Sequence, residues 1–484
     1  MTRDKHGTTR RNILMGGSAV ACALTLDRLL VPSKSMRLLA QPRDDLASGI
    51  SDHALLQAAL DRRGIVQLDR TYRINAPLTV RSDTQLLGNG RARIVWTGPA
   101  TQPILQDGSF VDPAQASRNI VLQNFEIAGD GKGNPDQLAI AFYRTGNVTI
   151  RNLVVHGVGG SGIRWGNSHR DTTDVLIEHC HIYDCRTGDA IQGSGRRIVI
   201  RNNVIGQEEG ERRGFGDTGI ALITDFETAT NPTNGNSHDV TIVGNTIIGD
   251  HGTHRTIAES DRPQTGIALG PFGVDHVAGV TITDNHIRQC YVNIWIAVTR
   301  GVKLTDNELG PHASPLTASV RLDGVSSVQI ERNRIALRGP AKGPDYAAIL
   351  LNAQRNVFGA STFDADVEDF VILGNEITSD GQGEGIRLAF GQDNHRPRYV
   401  SQMHDGIIAN NRFSGLEKPI AFASYFGENF EVCRDVGIHD NTIDDHASSI
   451  AFMAGKPEQY QAIAIYRNTA PKRTPLRRGT GATP

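Results

Sequence analysis

Along most of this chain, apolar and polar residues alternate over short stretches, the period-two signature of strands with one buried face. These stretches fall into a phrase that returns nine times: apolar, any, apolar, two of any kind, asparagine, any, apolar. Its asparagines are Asn203, Asn245, Asn285, Asn307, Asn333, Asn375, Asn411, Asn441 and Asn468. One instance runs Val280-Thr281-Ile282-Thr283-Asp284-Asn285-His286-Ile287, and another Val436-Gly437-Ile438-His439-Asp440-Asn441-Thr442-Ile443. The shortest spacing, 22 residues between Asn285 and Asn307, is that of one turn in a stack of repeated units. Set between two strands, each amide is expected to bond the same asparagine one turn above and below. Asparagine also tolerates the left-handed backbone of a sharp corner.

Most repeats add a third strand, often introduced by glycine: Gly162-Ile163-Arg164-Trp165, Gly219-Ile220-Ala221-Leu222, Gly266-Ile267-Ala268-Leu269 and Gly385-Ile386-Arg387-Leu388. Three short strands and three corners per turn predict an all-β, right-handed parallel β-helix, whose coils pair through the main chain at roughly 4.8 Å. Earlier turns fit without the asparagine: Ile120-Val121-Leu122 with Phe125, Val148-Thr149-Ile150 with Leu153, and Val175-Leu176-Ile177 with Cys180. A leucine-rich repeat also carries asparagines at such spacing, but it needs a helix-like half that this β-branched, glycine-punctuated text lacks.

Residues 51–97 read differently. Asp52 to Asp61 has apolar residues at helical spacing and an N-cap candidate at its start. Short strands follow at Gly64–Leu68, Thr71–Ile74, Pro77–Val80 and Thr84–Gly90. The short helix is expected to cap the open end of the solenoid, covering an edge that would otherwise recruit another chain. One β-helix domain over residues 41–470 accounts for the length, since each coil needs only its neighbours. The 52 glycines suit corners, and scarce aromatics suit a narrow interior of Ile, Val and Leu. A formal net charge of −2 argues against a nucleic-acid-binding protein, so electrostatic recognition must be local.

Residues 1–40 read as an address and linker. Thr9-Arg10-Arg11-Asn12-Ile13-Leu14-Met15, followed by a small, mildly apolar run from Gly16 to Leu26, matches a twin-arginine export signal. It implies a periplasmic or secreted protein, with no membrane-spanning segment once the signal is removed. Ala19-Val20-Ala21-Cys22 makes a poor lipoprotein site because its first position lacks the usual leucine. After cleavage Cys180, Cys185, Cys290 and Cys433 remain, with no zinc-ligand spacing and too few for a disulfide framework. Cys180 sits at a corner-ladder position and reads as a small buried residue. The tail, 471–484, is expected to be disordered.

The cap followed by asparagine-laddered turns resembles the pectate-lyase-like superfamily of parallel β-helix proteins over roughly residues 51–470. That resemblance implies carbohydrate work: pectin and alginate lyases, polygalacturonase-type hydrolases, uronan epimerases, fructan transferases and phage tailspikes. The chain is also similar to a group of twin-arginine-exported β-helix proteins. No catalytic motif transfers cleanly. Polygalacturonase-like hydrolases show Asn-Thr-Asp, Asp-Asp, Gly-His-Gly and Arg-Ile-Lys in order, of which only Gly188-Asp189-Ala190-Ile191 resembles the second, one aspartate short. The Asp-Pro-His-Asp of mannuronan epimerases is reduced to Val274-Asp275-His276. Fold alone does not establish function.

In this architecture the third strand and its flanking loops form the sugar groove. Alternation sends the Ile and Leu of Gly-Ile-x-Leu inward and x outward. Down successive turns x is Arg164, Gln192, Ala221, Ala268, Trp295, Arg321, Leu350 and Arg387. Arginine holds carboxylates bidentately and an indole face stacks on sugar rings, so Arg164, Gln192, Trp295 and Arg387, with His276, are substrate-binding candidates. The plainer reading is that exposed arginines serve solubility and edge protection.

Insertions cluster at two levels, one holding Gln207 to Asp217, Asp225 to His238 and Asp250 to Gln264, the other Arg338 to Tyr346, Gln354 to Asp369 and Gln392 to Asp405. In the first, Asp189 and Asp217 precede the third strand, and Asp225 and Glu227 follow it. Adjacent turns should bring Asp189 and Asp217 together, for acid/base work or for a bound Ca²⁺, and like charges should raise one pKa. Turn chemistry alone also accounts for Gly188-Asp189. His251-x-x-His254 lacks a third metal ligand, so no metal site is assigned.

Two functions follow. One is an exported polysaccharide lyase or glycoside hydrolase acting on an acidic glycan. Arg321 would hold a uronate carboxylate for elimination, or Asp217 and Asp225 would serve as acid and base for hydrolysis. The other is a non-catalytic β-helix that binds glycan or stabilises the envelope. A trimeric spike-like protein would need an apolar outer face, which the polar row does not offer.

Overall fold

The computed structural model describes residues 51–470 apart from 100, 113, 132–133, 135, 167–171, 208–213, 224–236, 250–263, 271–276, 313–317, 338–346, 354–356, 359–360, 363–365, 382, 391–401, 425–432, 445–449 and 454–459. Residues 1–50, which include the expected export signal, and the tail 471–484 lie outside the described residues.

Strand follows strand in a fixed rotation among three parallel sheets of 14, 13 and 13 strands, one strand of each per coil. Each inward column is continuous from coil to coil. In the third sheet Ile220, Ile267, Ile294, Val320, Ile349 and Ile386 lie in register, and all are buried. The glycine before that strand has a steric cause: a Cβ on Gly219 or Gly266 would sit 2.6 Å from a carbonyl oxygen of the next coil. At these two coils the corner approaches its neighbour too closely for a side chain. A short antiparallel hairpin, Val357–Phe358 with Ser361–Thr362, stands apart from the sheets. The insertion from Gln354 to Asp369 therefore carries strand structure that alternation across coils does not reveal.

The nine asparagines form an unbroken ladder. In a typical step Asn307 donates from its backbone N–H and its Nδ2 to Oδ1 of Asn333, at 3.0 and 2.9 Å, and Nδ2 also donates to the Ile282 carbonyl. Every amide of the ladder is thereby bonded, which matters because an orphaned one costs about 1–3 kcal/mol. Cys180 occupies the place one coil before Asn203, to whose Oδ1 its N–H donates. The left-handed turn, however, falls one residue earlier than the asparagine, on Asn202, Gly244, Asp284, Asp306, Arg332, Gly374, Asn410, Asp440 and Arg467, with φ between 52 and 66°. The corner is made there, and the ladder residue keeps a backbone that aims its amide along the stack.

The two ends differ. Helix Asp52–Asp61 closes one, its N-cap falling on Ser51, whose Oγ accepts the Ala54 N–H, and Leu56 and Leu60 bury against the first coil. The strands Gly64–Leu68, Thr71–Ile74 and Leu78–Val80 after it are that first coil itself. At the other end Ile465 is 43% exposed in a column where its neighbour Ile438 is fully buried. All four described cysteines are buried free thiols. Among the described residues no helix is long and apolar enough to cross a membrane.

Candidate functional site

The third sheet builds one outer column across its coils. Register aligns Gln106, Ala141, Arg164, Gln192, Ala221, Ala268, Trp295, Arg321, Leu350 and Arg387, one per coil. The eight residues picked out by alternation thus share one column, as strand geometry requires. They are not all open to solvent. Arg164, Gln192, Trp295 and Arg321 are half-buried, whereas Ala221, Ala268, Leu350 and Arg387 are buried, Arg387 at 7% exposure. The alanines lie in register beside the larger Gln192 and Trp295. Leu350 packs with Ala318, Ala347 and Ala389 in a cluster separate from the main core. Alternation fixes which way a side chain points, but not what lies over it.

Two clusters stand on this column. In the first, Asp189 precedes the strand Ile191–Gly193, and Asp217 precedes Thr218–Ile223 on the next coil. Gly188 allows the corner to pack, since a Cβ there would meet the Gly160 backbone at 2.7 Å. Asp189 Oδ1 accepts the Thr218 N–H at 2.9 Å, and the residue is 8% exposed. Burial, then the neighbouring Asp217 charge, push its carboxyl up to about 7, against the pull of the Thr218 bonds and of Arg164. On the column beside it, Gln192 Oε1 accepts from Ser161 Oγ at 3.4 Å. A second buried carboxyl, Asp107, is also raised, chiefly by burial. Its oxygens, however, accept from Ser109 Oγ and from the Phe110 and Tyr143 N–H groups. Asp107 caps a turn, while Asp189 borders the column beside a second acid.

The second cluster centres on a residue that sequence reasoning missed. Asp323 lies two places beyond Arg321 on the same outward face and is fully buried. Its Oδ2 accepts from Trp295 Nε1 at 2.8 Å and from Arg321 Nε at 2.9 Å, and its Oδ1 from Asn352 Nδ2 at 2.7 Å. The Arg321 guanidinium also lies 5.8 Å from the Trp295 ring centroid. One carboxylate therefore fixes an indole, a guanidinium and an amide drawn from three coils. The spacing Arg321-Leu322-Asp323 carried the signal, because residues two apart on a strand share a face. Further along, Glu384 accepts from Arg387 at 3.5 Å and from Lys418 of the next coil at 3.1 Å.

Asp225, Glu227, His251, His254 and His276 lie outside the described residues, as does most of both insertion sets. Among the described residues no group of three or more His, Cys, Asp or Glu is placed to hold a metal ion.

The family described as "Right handed beta helix region" matches residues 114–267. No curated protein matches the chain. Solved structures are similar in fold at low identity. The catalytic unit of the thermostable GH87 α-1,3-glucanase from Streptomyces thermodiastaticus strain HF3-3 aligns at 11% identity and TM-score 0.50, over 87% of this chain and 66% of that one. The Agl-KA catalytic domain aligns at 13% and 0.51, over 88% and 69%. Tailspike protein 3 of bacteriophage CBA120 aligns at 10% and 0.53, over 89% and 61%. The chain spans just under two thirds of the glucanase and less of the tailspike. Three parallel sheets, the matched repeat region and these likenesses together establish a right-handed parallel β-helix.

Proposed function

We propose that this chain binds a polysaccharide along the outer column of its third sheet and hydrolyses it, with Asp189 as general acid and Asp217 as its partner nucleophile. The observation that carries the reading is the acid pair: a buried carboxyl held near neutrality, one coil from a second carboxylate, beside the Arg164 and Gln192 positions. A proton donor at pH 7 needs this kind of shift, and two flanking carboxylates are the equipment of glycoside hydrolysis. Adjacent coils, about 4.8 Å apart, favour the shorter of the two carboxylate separations and hence retention of anomeric configuration. Trp295 and Arg321, three and four coils beyond Gln192 along the same column, extend the surface to several sugar units. Neighbours of similar fold include two named as catalytic units and one tailspike, which accords with glycan chemistry.

Incubation with a panel of neutral glycans, fructans and uronans tests this. Reducing ends should appear without the ultraviolet absorbance of unsaturated ends. Unsaturated ends would replace hydrolysis by elimination. The second reading, glycan binding without turnover, is favoured by the Thr218 N–H bond to Asp189, which a structural carboxyl would also make. Binding with no product on any substrate would select it. Residues 1–40 are part of the proposal as a twin-arginine leader delivering the domain to the periplasm or beyond. Fractionation of cells expressing Arg10→Lys with Arg11→Lys should leave the protein in the cytoplasm.

A further inference from the structure

We infer that the column selects a neutral glycan rather than an acidic one, because Arg321, Arg387 and the neighbouring Lys418 are already matched by the protein's own carboxylates; this rests on the glycan reading above. A uronate subsite needs an arginine whose charge the protein leaves for the ligand. Here Arg321 donates Nε to Asp323, a fully buried carboxylate that water does not screen. A substrate carboxylate approaching Arg321 would compete with that bond and meet the Asp323 charge. Arg387 and Lys418 are both drawn to Glu384. Neither Arg321 nor Arg387, nor Lys418 in register with the column's edge, can clamp a substrate carboxylate without first leaving an acid.

A second observation points the same way. Asn352, in register with Asp323 and 3% exposed, donates Nδ2 to Asp323, yet its buried Oδ1 has no hydrogen-bond partner among the described residues. A buried acceptor left open is completed by a donor. A ligand hydroxyl reaching that carbonyl would supply one, whereas a carboxylate would only repel it. With Gln106 and Gln192 also on the column and an indole held at its edge by Asp323, the recognition chemistry is stacking plus hydroxyl hydrogen bonds.

The molecule contains its own reporter. Of its three tryptophans, Trp96 and Trp165 are buried at 2% exposure, so Trp295 alone is placed to respond to a ligand on this face. The experiment titrates intrinsic fluorescence of the purified chain with malto-, laminari- and cello-oligosaccharides, and separately with oligogalacturonate and alginate oligosaccharides. The expected result is a response to at least one neutral series, unchanged between low and high salt, abolished in Trp295→Phe, and no saturable response to uronans. Asp323→Asn should weaken the neutral ligand about tenfold through its lost bonds. It should also create salt-sensitive uronan binding, because Arg321 loses its counter-charge. Salt-sensitive uronan binding by the unmodified chain overturns the inference and leaves the glycan reading standing. A folded Asp323→Asn protein that gains nothing for uronans overturns the charge-matching argument. Silence toward both series overturns the inference together with the function on which it rests.

Discussion

The asparagine corner and the outer column of the third sheet belong to the same coils yet are built on opposite principles. At the corner one side chain repeats nine times and bonds only to copies of itself and to the main chain. On the column no residue type sets the pattern, and buried polar groups bond across coils in arrangements that occur once. Repetition holds the stack together, while the unrepeated part is where chemistry has a place. Substitutions at the corner should therefore act on stability alone, whereas those on the column should act on ligand and turnover and, where the side chain is bonded to a buried group, on stability as well.

The largest effect is expected at Asp189. Asp189→Asn should lower turnover by about 10²- to 10⁴-fold, read as reducing ends released. Its effect on stability should run the other way. A folded pKa of about 7 against an ordinary 3.8 means that the folded chain keeps a proton which the unfolded chain releases. The stability this contributes is complete below about pH 4 and is lost as pH rises through about 7. Asparagine can still accept the Thr218 N–H, so at pH 8 the variant should be more stable than the parent by about 2 kcal/mol. Melting curves across pH check the sign. Equal pH dependence in the two proteins would mean that Asp189 is an ordinary turn residue.

Next in size, Asn333→Ala should cost about 2–3 kcal/mol, measured by denaturant unfolding, because it leaves the Asn307 amide without its acceptor. Glycan binding at temperatures where the variant is folded should not change. Altered binding would show that corner and column are coupled. Arg321→Ala sharpens the comparison from the other side. A merely exposed arginine could be removed at no loss of stability, but this one neutralises a buried carboxylate. A loss of about 1–3 kcal/mol should accompany the weaker binding. An unchanged melting temperature would show that Asp323 finds another partner. The smallest effect belongs to the open end. Ile465→Thr should fall within about 0.5 kcal/mol, while Ile438→Thr one coil inward should cost several times more.

How much of this was legible in the chain follows from which interactions are local and periodic. Strand positions and the ladder follow from period-two alternation and the near-constant distance of the flanking strands from each asparagine, and the membership of the outer column follows from alternation in Gly-Ile-x-Leu and its variants. The mutual approach of Asp189 and Asp217 was legible too, since both stand just before a third strand on successive coils. Asp323 was not, because an aspartate two residues from an arginine reads as surface charge until burial is known. The same holds for Arg387, whose outward direction follows from alternation but whose covering does not. The left-handed corner was assigned one residue late because asparagine, glycine and aspartate all favour that conformation and stand side by side. Asp225 and Glu227 belong to an insertion whose length breaks the repeat, where periodicity has nothing to say.

The self-sufficiency of the amide ladder has a consequence for descent. Since each coil is secured to the next without help from the exposed stripe, that stripe can drift residue by residue while the scaffold keeps its shape. Solved chains that share this architecture do so at 10 to 13% identity. A new specificity would then need only a few side chains rewritten on a frame that does not register the change.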